Sequence, residues 1–263
     1  MNPSATLAVG TQLREWRQRR RLSQLDLSVD ADVSTRHLSF VETGRAMPSR
    51  EMVLRLADRL DVPLRERNRL LTAAGFAPMF GERALDDPAL NAAREAIELV
   101  LKGHEPYPAL AIDRHWTLVS YNRAVPLLLE GIAPELLQPP LNVLRLSLHP
   151  DGLASRIVNL GQWRAHLLAR LRQQVAVSAD PALASLYAEL RGYPMPPHAH
   201  DEVVEAAVVV PLVVATPRGT LSFISTTTVF GTPVDITLSE LALETLFPAD
   251  AATAQALRAA LPG

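Results

Sequence analysis

Residues 24–45 read Gln-Leu-Asp-Leu-Ser-Val-Asp-Ala-Asp-Val-Ser-Thr-Arg-His-Leu-Ser-Phe-Val-Glu-Thr-Gly-Arg. Their spacing predicts two short helices, 24–30 and 34–42, joined by a tight turn. Leu22, Leu25, Leu27 and Val29 supply apolar side chains before the turn, and Val33, Leu38 and Val41 after it. Leu38 and Val41, three apart, fall on one helical stripe and face inward. Val33 plugs the angle between the helices, and Ser28 is small where they approach. Ser23, ahead of Gln24 and Asp26, suits an N-cap with an acid in the first turn; Ser34 caps the second helix. Gly44 suits a left-handed C-cap. With Leu38 and Val41 inside, Thr35, Arg36, His37, Ser39 and Phe40 are left for solvent or a partner, an arrangement that presents a helix to the major groove of duplex DNA.

The stretch is similar to the helix-turn-helix of phage repressors, the bacterial Xre-type family, over roughly residues 7 to 75. That resemblance implies that Gln24, which opens the first helix of the motif, braces a phosphate and the recognition helix. The family usually has Gly where this chain has Asp32. Asp visits left-handed backbone more readily than most residues, so the turn survives the change. The joint pattern continues through Glu42-Thr43-Gly44-Arg45 to Pro48-Ser49 and a helix whose Met52, Val53, Leu56 and Leu60 form an apolar face.

The DNA-facing set expected is Gln24, Ser34, Thr35, Arg36, His37, Ser39, Phe40, Thr43 and Arg45. Thr35, Arg36, His37 and Ser39 point toward base edges or nearby phosphates, and Arg36 suits guanine through paired hydrogen bonds. Phe40 touches a thymine methyl or packs. Gln24, Thr43 and Arg45 meet the backbone, which positions the protein without specifying sequence. Heads this short bind weakly alone, so a homodimer on operator half-sites is expected.

Charge agrees. Residues 1–75 hold 13 Arg against 9 Asp or Glu, a net of +4, while the chain as a whole is at −2. A basic end beside an acidic remainder fits an electrostatic footprint confined to one domain. The run Arg17, Arg19, Arg20, Arg21 is the densest part; it reads either as a solvated face or as a source of one or two phosphate contacts.

At 263 residues and 48% hydrophobic content, the chain suits two domains with packed cores. The absence of cysteine removes disulfides and thiolate metal sites. No apolar run approaches the roughly 20 residues needed to span a bilayer, and no signal segment opens the chain, so a cytoplasmic protein without membrane contact is expected. No Gly-rich phosphate loop, nucleophile elbow or His-Glu-x-x-His occurs, and an enzyme is not expected. His198-Ala199-His200-Asp201 has metal-ligand spacing but no third or fourth ligand nearby, and no metal or cofactor is expected.

Helices are expected near 8–20, 24–30, 34–42, 49–60 and 64–74. The 76–88 stretch, with Pro78, Gly81 and Asp86-Asp87-Pro88, reads as a boundary, which divides the chain into a domain 1–78, a linker 79–88 and a domain 89–263. A helix from about Pro88 to Gly103 turns Leu90, Ala93, Ile97, Val100 and Leu101 inward. Strand-like runs 108–113 and 116–120 flank an Asp-Arg-His turn, then come Asn122 and a helical stretch through Leu127, Leu128 and Leu129. Helices 154–174 and 181–192 follow. Runs 206–216 and 220–229, joined at Pro217-Arg218-Gly219, read as a β-hairpin, and a helix 250–261 closes the chain. The fold class is α+β: an all-α, repressor-like helix-turn-helix domain, then an α+β domain with an antiparallel sheet.

The segment Ala109 to Leu129, strand, Asp-turn, aromatic, strand, Asn, helix, resembles the opening of a PAS domain. Its join to a repressor-like head through Ser49-Arg50-Glu51-Met52-Val53-Leu54-Arg55-Leu56 and Glu66-Arg67-Asn68 resembles the MmyB-type transcription regulators. So do Asn142-Val143-Leu144-Arg145-Leu146-Ser147-Leu148-His149-Pro150-Asp151-Gly152 and Phe230-Gly231-Thr232-Pro233. The resemblance spans nearly the full chain. It implies a PAS-like ligand-binding domain and a fatty acid as effector, bound as a small apolar ligand. Such a ligand needs an apolar lining and one anchor for its carboxylate. Arg145 and His149 are the two anchor candidates; the reading we favour makes the first a surface ion pair and the second part of a turn. Tyr107, Trp116, Tyr121, Trp163 and Phe223 are candidate lining residues, with core packing the competing role. A DNA-binding protein whose second domain only dimerises is the alternative.

Overall fold

The computed structural model describes residues 3–195, 209–231 and 233–261, which form two compact units. The first unit comprises Met1–Arg83, Ala176–Ser178 and Pro233–Ser239; the second comprises Ala84–Val175, Ala179–Thr232 and Glu240–Gly263.

The N-terminal part of the first unit is built from α1 (Pro3–Arg19), α2 (Gln24–Asp30), α3 (Thr35–Glu42), α4 (Arg50–Arg59) and α5 (Leu64–Ala73). Their starts are fixed by local chemistry. Ser23 and Asp26 form a reciprocal capping box on α2, Ser34 accepts from the His37 amide, and Ser49 accepts from the Met52 amide. Each helix is followed by a left-handed residue: Arg21 (φ 56°), Asp32 (50°), Gly44 (72°), Asp61 (46°) and Gly75 (80°). Only two of the five are glycine, and Asp32 adopts the conformation that the turn requires of it. Leu13, Leu27, Leu38, Val41, Val53, Leu56, Leu60, Leu70 and Leu71 are fully buried in one core.

Two of the apolar residues before the turn lie outside this core. Leu25 and Val29 are 61% and 71% exposed. Four apart, they share the face of α2 opposite Leu27, and seven residues of helix bury only one side. Where α1 meets α3, a Cβ on Gly10 would collide with the carbonyl oxygen of Val41. Gly10→Ala would gain about 1 kcal/mol of helix propensity, but overpacking against rigid backbone costs about 1–3 kcal/mol. A lower melting temperature for the variant is therefore expected; a higher one would show that this helix crossing yields.

In the second unit a 3₁₀ turn (Pro88–Leu90) leads into α6 (Asn91–Gly103), followed by β1 (Ala109–Ile112), β2 (Leu118–Tyr121), α7 (Pro126–Leu129), α8 (Val143–Leu148), α9 (Leu160–Ser178) and α10 (Pro181–Arg191). Then come β3 (Leu212–Thr216), β4 (Gly219–Val229), α11 (Ile236–Ser239, within the first unit), β5 (Ala242–Pro248) and α12 (Ala251–Ala260). Among the described residues the strands form one antiparallel sheet in the order β2-β1-β5-β4-β3. An all-α head and an α+β domain with an antiparallel sheet are thus as expected.

The departures have local causes. The helix expected over 154–174 is interrupted: a 3₁₀ turn covers Ala154–Arg156, Ile157 bridges Val214, and Val158 donates to Val213 O at 2.8 Å. Asn159 then donates to Pro211 O and accepts from the Val213 amide, so α9 starts only at Leu160. β3 begins at Leu212; residues 206–208 of the expected strand lie outside the described residues. Val100, expected inward on α6, is 45% exposed, whereas Ile97 and Leu101 are buried. β5, the central strand, carries no period-2 signal. Its Leu243 to Leu246 are buried in succession, and its Ala, Leu and Glu content leans toward helix.

Candidate nucleic-acid interface and effector-domain residues

The orientation of α3 rests on a buried carboxylate. Glu42, at the end of α3, has a side chain only 1% exposed. Arg17 of α1 donates to both its oxygens, Nε at 2.7 Å and Nη2 at 2.8 Å, and Gln24 of α2 donates Nε2 to Oε2 at 2.7 Å. One acid thus ties three helices together. Burial alone would raise the Glu42 carboxyl, but the hydrogen bonds of Arg17 and Gln24 and the charges of Arg17 and Arg14 hold it below its ordinary value. The Arg17 guanidinium is raised, chiefly by its hydrogen bonds to Glu42. No signal in the sequence ties residues 25 apart, so Glu42 went unassigned there.

The outward side of α3 carries Arg36 and His37, both exposed, with Ser39 and Phe40 partly so. Arg36 and Arg45 both lie against the Phe40 ring, their guanidinium carbons 5.3 and 6.0 Å from its centroid. Phe40 therefore packs against two cations on this surface. Thr35 is half-buried, its hydroxyl 2.7 Å from that of Ser28, which is buried where α2 meets α3. Ser34 uses its hydroxyl as the N-cap, and the Thr43 hydroxyl donates to Ser39 O at 2.7 Å. Two members of the basic run are absorbed by the fold. Arg17 holds Glu42, and Arg20 donates to the carbonyls of Leu60 and Asp61 at the end of α4. The run was expected to be either a solvated face or a source of phosphate contacts; Arg17 is buried and is not part of a solvated face, while Arg20 is partly exposed.

The candidate effector residues separate into groups. Trp116, Trp163 and Phe223 belong to one buried cluster with Leu128, Leu144, Leu167, Leu171 and Leu186. Trp116 sits at φ +67°, rare for a bulky residue. Its indole donates to Gln174 at 2.8 Å, and the Arg170 guanidinium lies 4.5 Å from its ring centroid. Arg170 also donates to both oxygens of Glu244 on β5, at 2.5 and 3.2 Å, and to the Thr227 hydroxyl on β4. This polar junction of α9 with the sheet could not be found without β5. Trp163 donates to Ser147 and stacks on His166, whose pKa is lowered by burial and then by the charge of Arg170.

The remaining candidates lie elsewhere. Arg145 forms a paired salt bridge with Glu189, with Nε–Oε1 at 2.7 Å. His149 accepts from the Asp151 amide and packs edge-on to Tyr193. Ion pair and turn thus describe the two better than carboxylate anchor. Tyr121 is 50% exposed at the end of an edge strand, which leaves it little to line. The Tyr107 hydroxyl accepts from Arg258 of α12, and its ring packs edge-on to His104. His198, His200 and Asp201 lie outside the described residues, among which no group of three or more His, Asp or Glu is placed to hold a metal. No described helix is long and apolar enough to cross a membrane.

Family models match both parts of the chain: a helix-turn-helix domain over residues 8–70 and an MmyB-like transcription regulator ligand binding domain over residues 93–260. No curated relative matches. The second match alone spans well over half of the 263 residues. With a capped helix-turn-helix, its turn made through the left-handed Asp32, ahead of an antiparallel α+β domain, the chain belongs to the MmyB-like transcription regulators, DNA-binding proteins that carry a ligand-binding domain.

Proposed function

We propose that the protein is a cytoplasmic, non-enzymatic transcription regulator that binds operator half-sites as a homodimer and responds to a fatty acid in its second unit. The observation that carries the DNA-reading half is α3 itself. Leu38 and Val41 are fully buried and Glu42 nearly so, while Arg36 and His37 on the other side are exposed. A helix fixed on one side and cationic on the other suits insertion in the major groove. Gln24, Ser34, Thr35, Ser39, Thr43 and Arg45 border it. Around Trp116, Trp163 and Phe223 the second unit is a packed apolar core; the small apolar effector and its class follow from the family resemblance.

The test uses an operator selected from a random duplex library. Arg36→Ala should weaken operator binding by about 1–3 kcal/mol and relax preference at one base. Arg45→Ala should weaken binding to all sequences and reduce the salt slope by about one. Unchanged affinity in Arg36→Ala would remove Arg36 from base readout. Native mass spectrometry of the purified chain, with and without added hexadecanoate, tests the effector. A ligand-free spectrum in both cases would favour a second unit that only dimerises.

A further inference from the structure

A short piece of sequence from within the effector sheet is built into the DNA-binding unit. Residues Pro233–Ser239 lie between β4 and β5, yet they belong to the first unit. Their attachment there is specific. Asp235 and Gly81 form a parallel bridge, and the Ile236 amide donates to Gly81 O at 2.8 Å. Arg83 Nη1 donates to Asp235 Oδ2 at 2.8 Å, and the Thr237 hydroxyl donates to Arg83 O at 2.6 Å. The Asp235 side chain is 3% exposed and caps α11 by accepting from the Thr237 amide; Ile236 is fully buried. At Gly81 an added Cβ would stand 3.0 Å from Arg83 Nη1 and 3.3 Å from Asp235 Oδ2, so the close approach uses the missing side chain.

From this seat the contacts run on to the helices of the head. Arg65 of α5 pairs with Glu82 at 2.6 and 2.8 Å. Asn68 of α5 donates to Phe80 O and accepts from the Met79 and Phe80 amides. α5 in turn buries Leu70 and Leu71 in the core that holds α1 and α3. The tethers on the other side are short. Residues 230–232 join the seat to β4, and residues 240–241 join it to β5. At no more than about 3.6 Å per residue, connections of three and two residues can span only about 11 and 7 Å. β4 and β5 are paired along their length, and both hold Arg170, through Thr227 and Glu244.

We propose that residues 233–239 form a strap that carries the state of the β4–β5 pair into the DNA-binding unit, with Asp235–Arg83 as its latch. The inference rests on the regulator reading above and names the element through which that regulation passes. Coupling of this kind requires a difference in operator affinity between two states of the sheet, and a latch that both states share.

The test is operator affinity of the full chain, measured by fluorescence anisotropy under two perturbations of the second unit. One is hexadecanoate; the other is Arg170→Lys, which keeps the charge but loses the paired hydrogen bonds to Glu244. With the latch intact, a perturbation that couples should shift the operator Kd about fivefold or more. In Asp235→Asn, and separately in Arg83→Ala at a half-exposed position, the shift should collapse while the unperturbed Kd stays within about twofold of wild type. An undiminished shift in both latch variants overturns the strap, as does a wild-type Kd that neither perturbation moves. If hexadecanoate fails to bind but the Arg170→Lys shift is lost with the latch, the effector assignment falls and the strap stands.

Discussion

Replacement of Glu42 by Ala is expected to destabilise the first unit by about 3–5 kcal/mol, a large share of the about 5–15 kcal/mol that holds a small domain folded. The mechanism is the charge left behind. Arg17 is 10% exposed and would lose both of its carboxylate hydrogen bonds, and Gln24 would lose its tie to α3. Glu42→Gln should cost less, because the amide oxygen still accepts one bond. Chemical denaturation of the full chain labelled with fluorotryptophan, followed on the fluorine resonance of Trp16 in the same core, measures the loss. A change under about 1 kcal/mol would mean that water replaces the carboxylate at this site. The same group sets an acid limit. Its folded pKa is below the ordinary carboxylate value, so its contribution is fully present above the unfolded pKa and is lost as pH falls through the folded one. Operator binding and the stability of the first unit should therefore fall together on the acid side of the carboxylate range. Glu42→Gln should flatten that dependence.

A second large effect is expected at Asn122 in the second unit. Its side chain is buried and fully engaged. Oδ1 accepts from the amides of Ala109 and Ala124, and Nδ2 donates to the carbonyls of Leu101 and Tyr107. One side chain thus joins the end of α6, the start of β1 and the approach to α7. Asn122→Ala strands several of these groups away from water at about 1–3 kcal/mol each, and a total loss of about 3 kcal/mol or more is expected. Asn122→Asp should be nearly as harmful, because a carboxylate cannot donate to the two carbonyls. Thermal unfolding checks both. A melting temperature unchanged in Asn122→Ala would show that water reaches the gap.

The two residues show where sequence legibility ends. Asn122 is visible as the Asn of a strand–turn–strand–Asn–helix pattern, but its four partners come from three separate stretches of chain. Gln24 is visible as the residue opening the motif's first helix; its partner Glu42 is not, because a buried ion pair between helices leaves no period. The head was readable since its determinants are local: Ser23, Ser34 and Ser49 cap their own helices, and Leu38 with Val41 state the buried side of α3 within one turn. Leu25 and Val29 mark the limit even there, since apolar residues alone do not say which side of a two-turn helix meets the core.

In the second unit the hairpin β3–β4 and the pair β1–β2 announce themselves through β-branched runs and turn residues. β5 does not. It is paired on both edges and buried almost continuously, so alternation is lost, and its buried Glu244 reads as polar surface until Arg170 is seen to meet it. The sequence by itself determined the capped helix-turn-helix, the division between a basic head and an acidic remainder, and the α+β class, because each rests on local propensity and short-range periodicity. Only the tertiary structure decided the central strand, the Arg17–Glu42–Gln24 tie, the Arg170 junction and the seat of residues 233–239. Each of those is a contact between distant stretches, whose free energy comes from burying and pairing groups that neither stretch can satisfy alone.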